Sequence, residues 1–99
     1  MNAATFFNFC FEHWAGGNEF QSPQKQFDVF RENLTVLAGF KEAYWSIDGR
    51  PRIEAKSIAF ANMGQEEFEE CYKALVSAAM KHIFKGSDDQ IYNKLVRFF

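Results

Sequence analysis

The spacing of apolar residues changes in the middle of this chain, and that change limits what it can fold into. Up to Leu37 apolar side chains recur every three or four residues, the period of a helix with one buried face. From Phe40 onward the content turns β-branched and aromatic, and beyond Asn62 the helical period returns. A hairpin therefore interrupts a helical chain. A two-stranded hairpin alone is marginal in water, so the expectation is that it packs on the helices.

Residues 3–15 read as a first helix, with Phe6, Phe7, Cys10, Phe11 and Trp14 on a wide apolar face and Phe9 off it. Gly16-Gly17-Asn18 is its stop signal. Ser22 followed by Pro23 marks the start of a second helix over 23–38, because serine caps free amides and proline at the first helical position sacrifices none. Phe27, Phe30, Leu34 and Leu37 line one side of it, and Gly39 ends it. Ala43 to Ile47 then reads as a strand, and Asp48-Gly49 as a turn continued by Arg50-Pro51-Arg52. Ile53 to Phe60 reads as the returning strand.

Asn62 is the expected cap of the third helix, with Gln65 completing a capping box. Glu66, Glu67, Glu69 and Glu70 crowd its first turns, where carboxylates complement the positive end of the helix dipole. Phe68, Cys71, Leu75, Ala78, Ala79 and Ile83 form its buried stripe, Lys81, His82 and Lys85 sit near its negative end, and Gly86 is expected to close it. Ser87 and Gln90 repeat the capping signal before a short last helix with Ile91, Leu95 and Phe98. The prediction is a single α+β domain over 1–99, four helices packed on a β-hairpin in the order α-α-β-β-α-α.

A net charge of −2 lowers the expectation of duplex DNA binding, which needs several phosphates neutralised. Two distant cysteines, no basic leader and no apolar span point to the cytoplasm. Cys10 and His13 are spaced three apart as a metal pair could be, but Cys71 and His82 are not a tight pair of the kind structural zinc uses. Both thiols fall on apolar faces where they act as packing groups. No nucleophile elbow, phosphate loop or metalloprotease motif occurs in the sequence. The reading is of a non-enzyme without cofactor or metal.

Two surfaces stand out as candidates for a partner. Around the hairpin, Lys41, Arg50, Arg52 and Lys56 are interleaved with Tyr44 and Trp45. Cations that track phosphate beside rings that stack on bases suit single-stranded nucleic acid. The same residue types are favoured in protein hot spots. In the plainer alternative, the rings pack on the helices and the charges solvate an edge. The second surface is the first helix, where Phe7, Phe9 and Phe11 exceed what one core face needs. A helix sandwiched between other elements would bury the excess, and a homodimer seam or a host-protein contact would use it otherwise. The acidic run Glu66, Glu67 and Glu70 is a further alternative contact.

The run Lys56-Ser57-Ile58-Ala59-Phe60-Ala61-Asn62-Met63, with Glu67-Phe68 and Tyr72-Lys73-Ala74 after it, resembles the carboxy-terminal part of an uncharacterised family encoded by lambdoid phages and prophages. Phe6-Phe7 with Phe11-Glu12-His13-Trp14, and Tyr44 before Asp48-Gly49, are similar to that family's upstream helix and hairpin. The family's genes are placed like those of the NinB recombination proteins, which act with single-stranded DNA and its binding protein. The resemblance implies an accessory role in phage recombination, with single-stranded DNA or its protein complex as partner, in the bacterial host cytoplasm. It brings no catalytic residues. Full-length members carry a β-rich region ahead of the paired-phenylalanine helix at which this sequence starts, and loss of such a region would suit a second role. That role is an inhibitor that binds a host defence nuclease, RecBCD or a CRISPR complex.

Overall fold

A computed structural model describes residues 3–14, 22–85 and 89–99. Its elements are α1 (Ala3–His13), α2 (Pro23–Leu37), β1 (Lys41–Trp45), β2 (Pro51–Ala55), a 3-10 turn (Phe60–Asn62), α3 (Gln65–His82) and α4 (Asp89–Val96). The α-α-β-β-α-α order and α+β class are those the sequence predicts. The expected stop at Gly16-Gly17-Asn18, and Gly86 and Ser87, lie outside the described residues.

Alpha2 begins on the predicted Pro23 and ends at Leu37, one residue short of the expected limit, with Ala38 as its cap. The Lys25 amide donates to Ser22 Oγ at 3.2 Å, and Pro23 opens the helix. At the other end Gly39 adopts a φ of +101°, where a side chain would be strained. Its N–H reaches Val36 O at 2.9 Å and the Phe40 N–H reaches Thr35 O at 3.1 Å. This pair of bonds is the Schellman closure, and it redirects the chain into β1.

One core joins all four helices. Phe6, Phe7 and Cys10 of α1 meet Phe30 and Leu34 of α2, the α3 stripe of Cys71, Leu75, Val76, Ala78 and Ala79, and Leu95 of α4. Each large side chain so buried contributes about 1.5–3 kcal/mol before conformational entropy is subtracted. Most phenylalanines are used here or at the edge of this core. Phe99 lies 5.0 Å from Phe6 and stacks on Tyr72 at 5.6 Å, while Phe11 lies 5.5 Å from Phe27 and 5.4 Å from Phe30.

Three local expectations are corrected. The strands are displaced: β1 starts at Lys41 rather than Ala43, and β2 runs from Pro51 to Ala55 rather than from Ile53 to Phe60. Pro51 fits within β2 because it faces Trp45 in the register, at a position whose N–H points away from the partner strand. Beyond Ala55 the chain leaves the sheet, and Ile58, Phe60 and Met63 turn inward to pack against the core instead of alternating along a strand.

Asn62 does not cap α3. It belongs to the 3-10 turn, and the helix starts three residues later from Gly64, with no side-chain cap and with Gln65 Nε2 donating to Glu69 at 3.0 Å. Alpha3 also ends at His82, before Gly86, and Lys85 takes a left-handed φ of +47°.

The hairpin is the third departure. It packs on the helices as expected only along β2: every residue of β1 is exposed, and in β2 only Ala55 is partly covered. Alpha2 packs along β2, leaving β1 as the outer strand.

Candidate functional site

The turn that ends the hairpin is built from local hydrogen bonds. The Ser46 N–H bonds to Arg50 O at 3.0 Å and the Gly49 N–H to Ser46 O at 2.9 Å, enclosing Ile47, Asp48 and Gly49. Gly49 has a φ of +81°, so the loop is a three-residue turn with a left-handed glycine, not a two-residue Asp-Gly turn. Asp48 holds it from inside: the Ser46 hydroxyl donates to Oδ1, and so does the Arg50 N–H at 3.2 Å. These two donors, the hydroxyl first, hold the Asp48 carboxyl below its ordinary range. The Arg50 guanidinium adds an ion pair to Asp48 at 3.8 Å, with both side chains largely in solvent.

The register sorts the six hairpin candidates onto different faces. Tyr44 lies opposite Arg52, and Glu42 opposite Glu54; these four share one face. Trp45 opposite Pro51, Ala43 opposite Ile53, and Lys41 opposite Ala55 form the other face. All six predicted residues (Lys41, Tyr44, Trp45, Arg50, Arg52 and Lys56) are exposed, and Trp45 retains 75% of its surface. The rings therefore do not pack on the helices, and Tyr44 and Trp45 do not form one platform. Lys56 is set apart at the base of the hairpin. There it lines a cavity of about 460 Å³ together with Glu67 and Glu70 of α3. Among the described residues Lys41, Arg52 and Lys56 form no ion pair.

Sequence reasoning missed the apolar side of this hairpin. Ile47, read as a strand residue, stands in the turn with its side chain fully in solvent, and Ile53 is also exposed. An isoleucine directly before Asp-Gly was the available signal, since the first central residue of a type I turn projects outward. Leu37 of α2, assigned to the core stripe, is exposed as well. It borders a cleft of about 290 Å³ with Trp14, Phe30, Leu34, His82 and Ile83.

Of the two readings of α1, the structure shows the helix covered from several sides, not an open aromatic surface. Among the described residues Trp14 alone of its predicted face is left exposed. Phe7 is buried, Phe11 is covered by α2, and Phe9 packs on Phe84 at 5.9 Å and Phe98 at 5.4 Å, with Lys94 Nζ 4.7 Å from its ring centre. A single apolar face is insufficient for these rings because α2 and the C-terminal residues cover α1 from different sides. Glu66, Glu67 and Glu70 are exposed on α3.

The candidate thiols and imidazoles are dispersed. Cys10 and Cys71 are buried, and burial pushes Cys10 up to about 12 and raises Cys71, with Glu67 adding to the latter. Thiols in that state are poor nucleophiles and ligands. His13 is exposed and its Nδ1 lies 2.9 Å from Phe9 O. Among the described residues no group of three or more His, Cys, Asp or Glu is placed to hold a metal, and no helix is long and apolar enough to cross a membrane.

A family model described as "Protein of unknown function (DUF1367)" matches residues 12–92, which include every hairpin candidate. No curated protein and no solved structure matches the chain.

Proposed function

The chain belongs to DUF1367, and on that premise we propose that it is a non-enzymatic accessory protein of phage or prophage DNA recombination, whose hairpin binds single-stranded DNA or the protein complex on it. The observation that carries this reading is the Tyr44–Arg52 pair. A ring and a guanidinium stand opposite each other on an exposed face, with Arg50 beyond them at the tip. A base can stack on such a ring while its phosphate meets the adjacent cations. Glu42 and Glu54 occupy the same face nearer the helices and repel phosphate there, so the distal half of the hairpin forms the contact. The phage setting rests on the resemblance of the Ser57–Met63 run.

The test is fluorescence anisotropy with a labelled oligonucleotide at two salt concentrations. Binding by the native chain should weaken with salt. The double variant Arg50→Glu, Arg52→Glu should lose it while keeping its helical circular dichroism. Binding undiminished in that variant refutes the reading.

A second reading draws on the opposite face. Trp45, Ile47 and Ile53 present apolar surface of the kind protein partners cover, and Glu66, Glu67 and Glu70 are free to mimic phosphates. This suits an inhibitor of a host defence nuclease. Co-purification of such a nuclease by a chain that binds no oligonucleotide would favour it.

A further inference from the structure

The outer edge of β1 is an open hydrogen-bonding row. The Ser46 N–H to Arg50 O and Lys56 N–H to Phe40 O bonds set which residues of the ladder point inward. By the antiparallel alternation, Glu42 and Tyr44 direct their backbone groups toward β2, while Lys41, Ala43 and Trp45 direct theirs outward. Among the described residues no backbone group bonds to that outward row. The corresponding edge of β2 is less suitable, because Pro51 lacks a donor and α2 lies along that strand.

We propose that this edge pairs antiparallel with the β1 edge of a second copy of the chain about a two-fold axis at Ala43, giving a continuous four-stranded sheet. The sequence of the strand is self-complementary in that register. Ala43 meets the partner's Ala43 through two backbone hydrogen bonds, with no bulk at the axis. Lys41 comes beside the partner's Trp45, placing an ammonium against an exposed indole. Glu42 comes beside the partner's Tyr44, whose hydroxyl can donate to a carboxylate that within its own chain faces only Glu54. No like charges stand directly opposite each other across the axis; the two Glu42 carboxylates lie on a diagonal, each beside a tyrosine hydroxyl. On the Trp45 face the row Ile53, Ala43, the partner's Ala43 and the partner's Ile53 becomes one apolar stripe. Each hairpin, exposed on both faces as a monomer, thereby gains a neighbour on its open side. Tyr44 belongs to both surfaces, but the axis is tested at Ala43 and the proposed DNA contact at Arg50 and Arg52, so the two ideas fail separately.

Sedimentation velocity on the full chain gives the first test. A species of twice 11.5 kDa is expected to grow with concentration, and Ala43→Lys, which puts two ammonium groups at the axis, should return it to 11.5 kDa without loss of helical signal. The positional test is oxidation of Ala43→Cys, which should yield a covalent dimer within disulfide reach. Ile53→Cys, also exposed but separated from its copy by both β1 strands, should not. The native thiols are buried and stay out of this exchange. A native chain that remains a monomer at every concentration overturns the proposal. So does an Ala43→Lys variant that still dimerises, or equal cross-linking at Ile53→Cys.

Discussion

The helical core and the hairpin solve opposite problems with similar residues. In the core, Phe6 is fully buried and touches Phe7 at 5.3 Å and Phe99 at 5.0 Å. In the hairpin, Trp45, Ile47 and Ile53 are as apolar and stay in water. The core accounts for stability, because burial of its rings removes them from solvent. The hairpin is held by backbone bonds and by one carboxylate in its turn, and the unburied rings it displays are available to a partner. Aromatic content alone therefore says little about location in this chain. What matters is whether another helix arrives to cover the ring.

The sharpest way to break this contrast is to truncate one ring from each region. Phe6→Ala should cost about 3–5 kcal/mol in urea denaturation, the usual cost of emptying a buried phenylalanine site. Trp45→Ala should stay within about 0.5 kcal/mol, as surface substitutions do. Equal losses would mean that the hairpin is part of the stabilising core.

A smaller effect belongs to the turn. Gly49 has open space around its missing Cβ, so Gly49→Ala meets only the backbone cost of a left-handed residue, about 1–2 kcal/mol. Amide exchange at Ser46 should quicken roughly five- to thirtyfold, the factor such an energy corresponds to. Exchange in α3 should not follow if the hairpin opens independently of the core.

The smallest effect is that of pH. Because the folded hairpin holds the Asp48 carboxyl below its ordinary value, its contribution is complete above that ordinary value. It fades as pH falls through the ordinary value and on through the lowered one. Chemical shifts of Gly49 and Arg50 should therefore report loosening of the turn only in acid, and Asp48→Asn should remove that pH dependence.

Much of the fold is legible without coordinates where the signal is local. Ser22-Pro23 and Gly39 set the limits of α2 through groups a few residues away. The helical period gives Cys71, Leu75, Ala78 and Ala79 of the α3 stripe, although it omits the buried Val76 and includes Phe68 and Ile83, which are only partly covered. Local signals also mislead when a neighbouring segment competes. Asn62 carries a good capping side chain, yet the pull of Phe60 and Met63 toward the core turned that stretch into a 3-10 turn and moved the helix start to Gln65, with Gly64 at the cap position. The candidate site divides in the same way. The residue types of the hairpin contact are readable from the sequence. Their distribution over two faces needs the register, since a one-residue shift would exchange the faces.

By itself the sequence determined the number and order of the four helices and two strands, though not the 3-10 turn, because hydrophobic period and turn chemistry act within a few bonds. Tertiary structure alone decided which rings are covered and which strand is left outermost. It also decided that Tyr44 and Trp45 face opposite ways. The physical reason is that burial depends on what arrives from elsewhere in the chain: α2 and the C-terminal residues close over α1, while the main contact of the hairpin with the helices is that of α2 along β2.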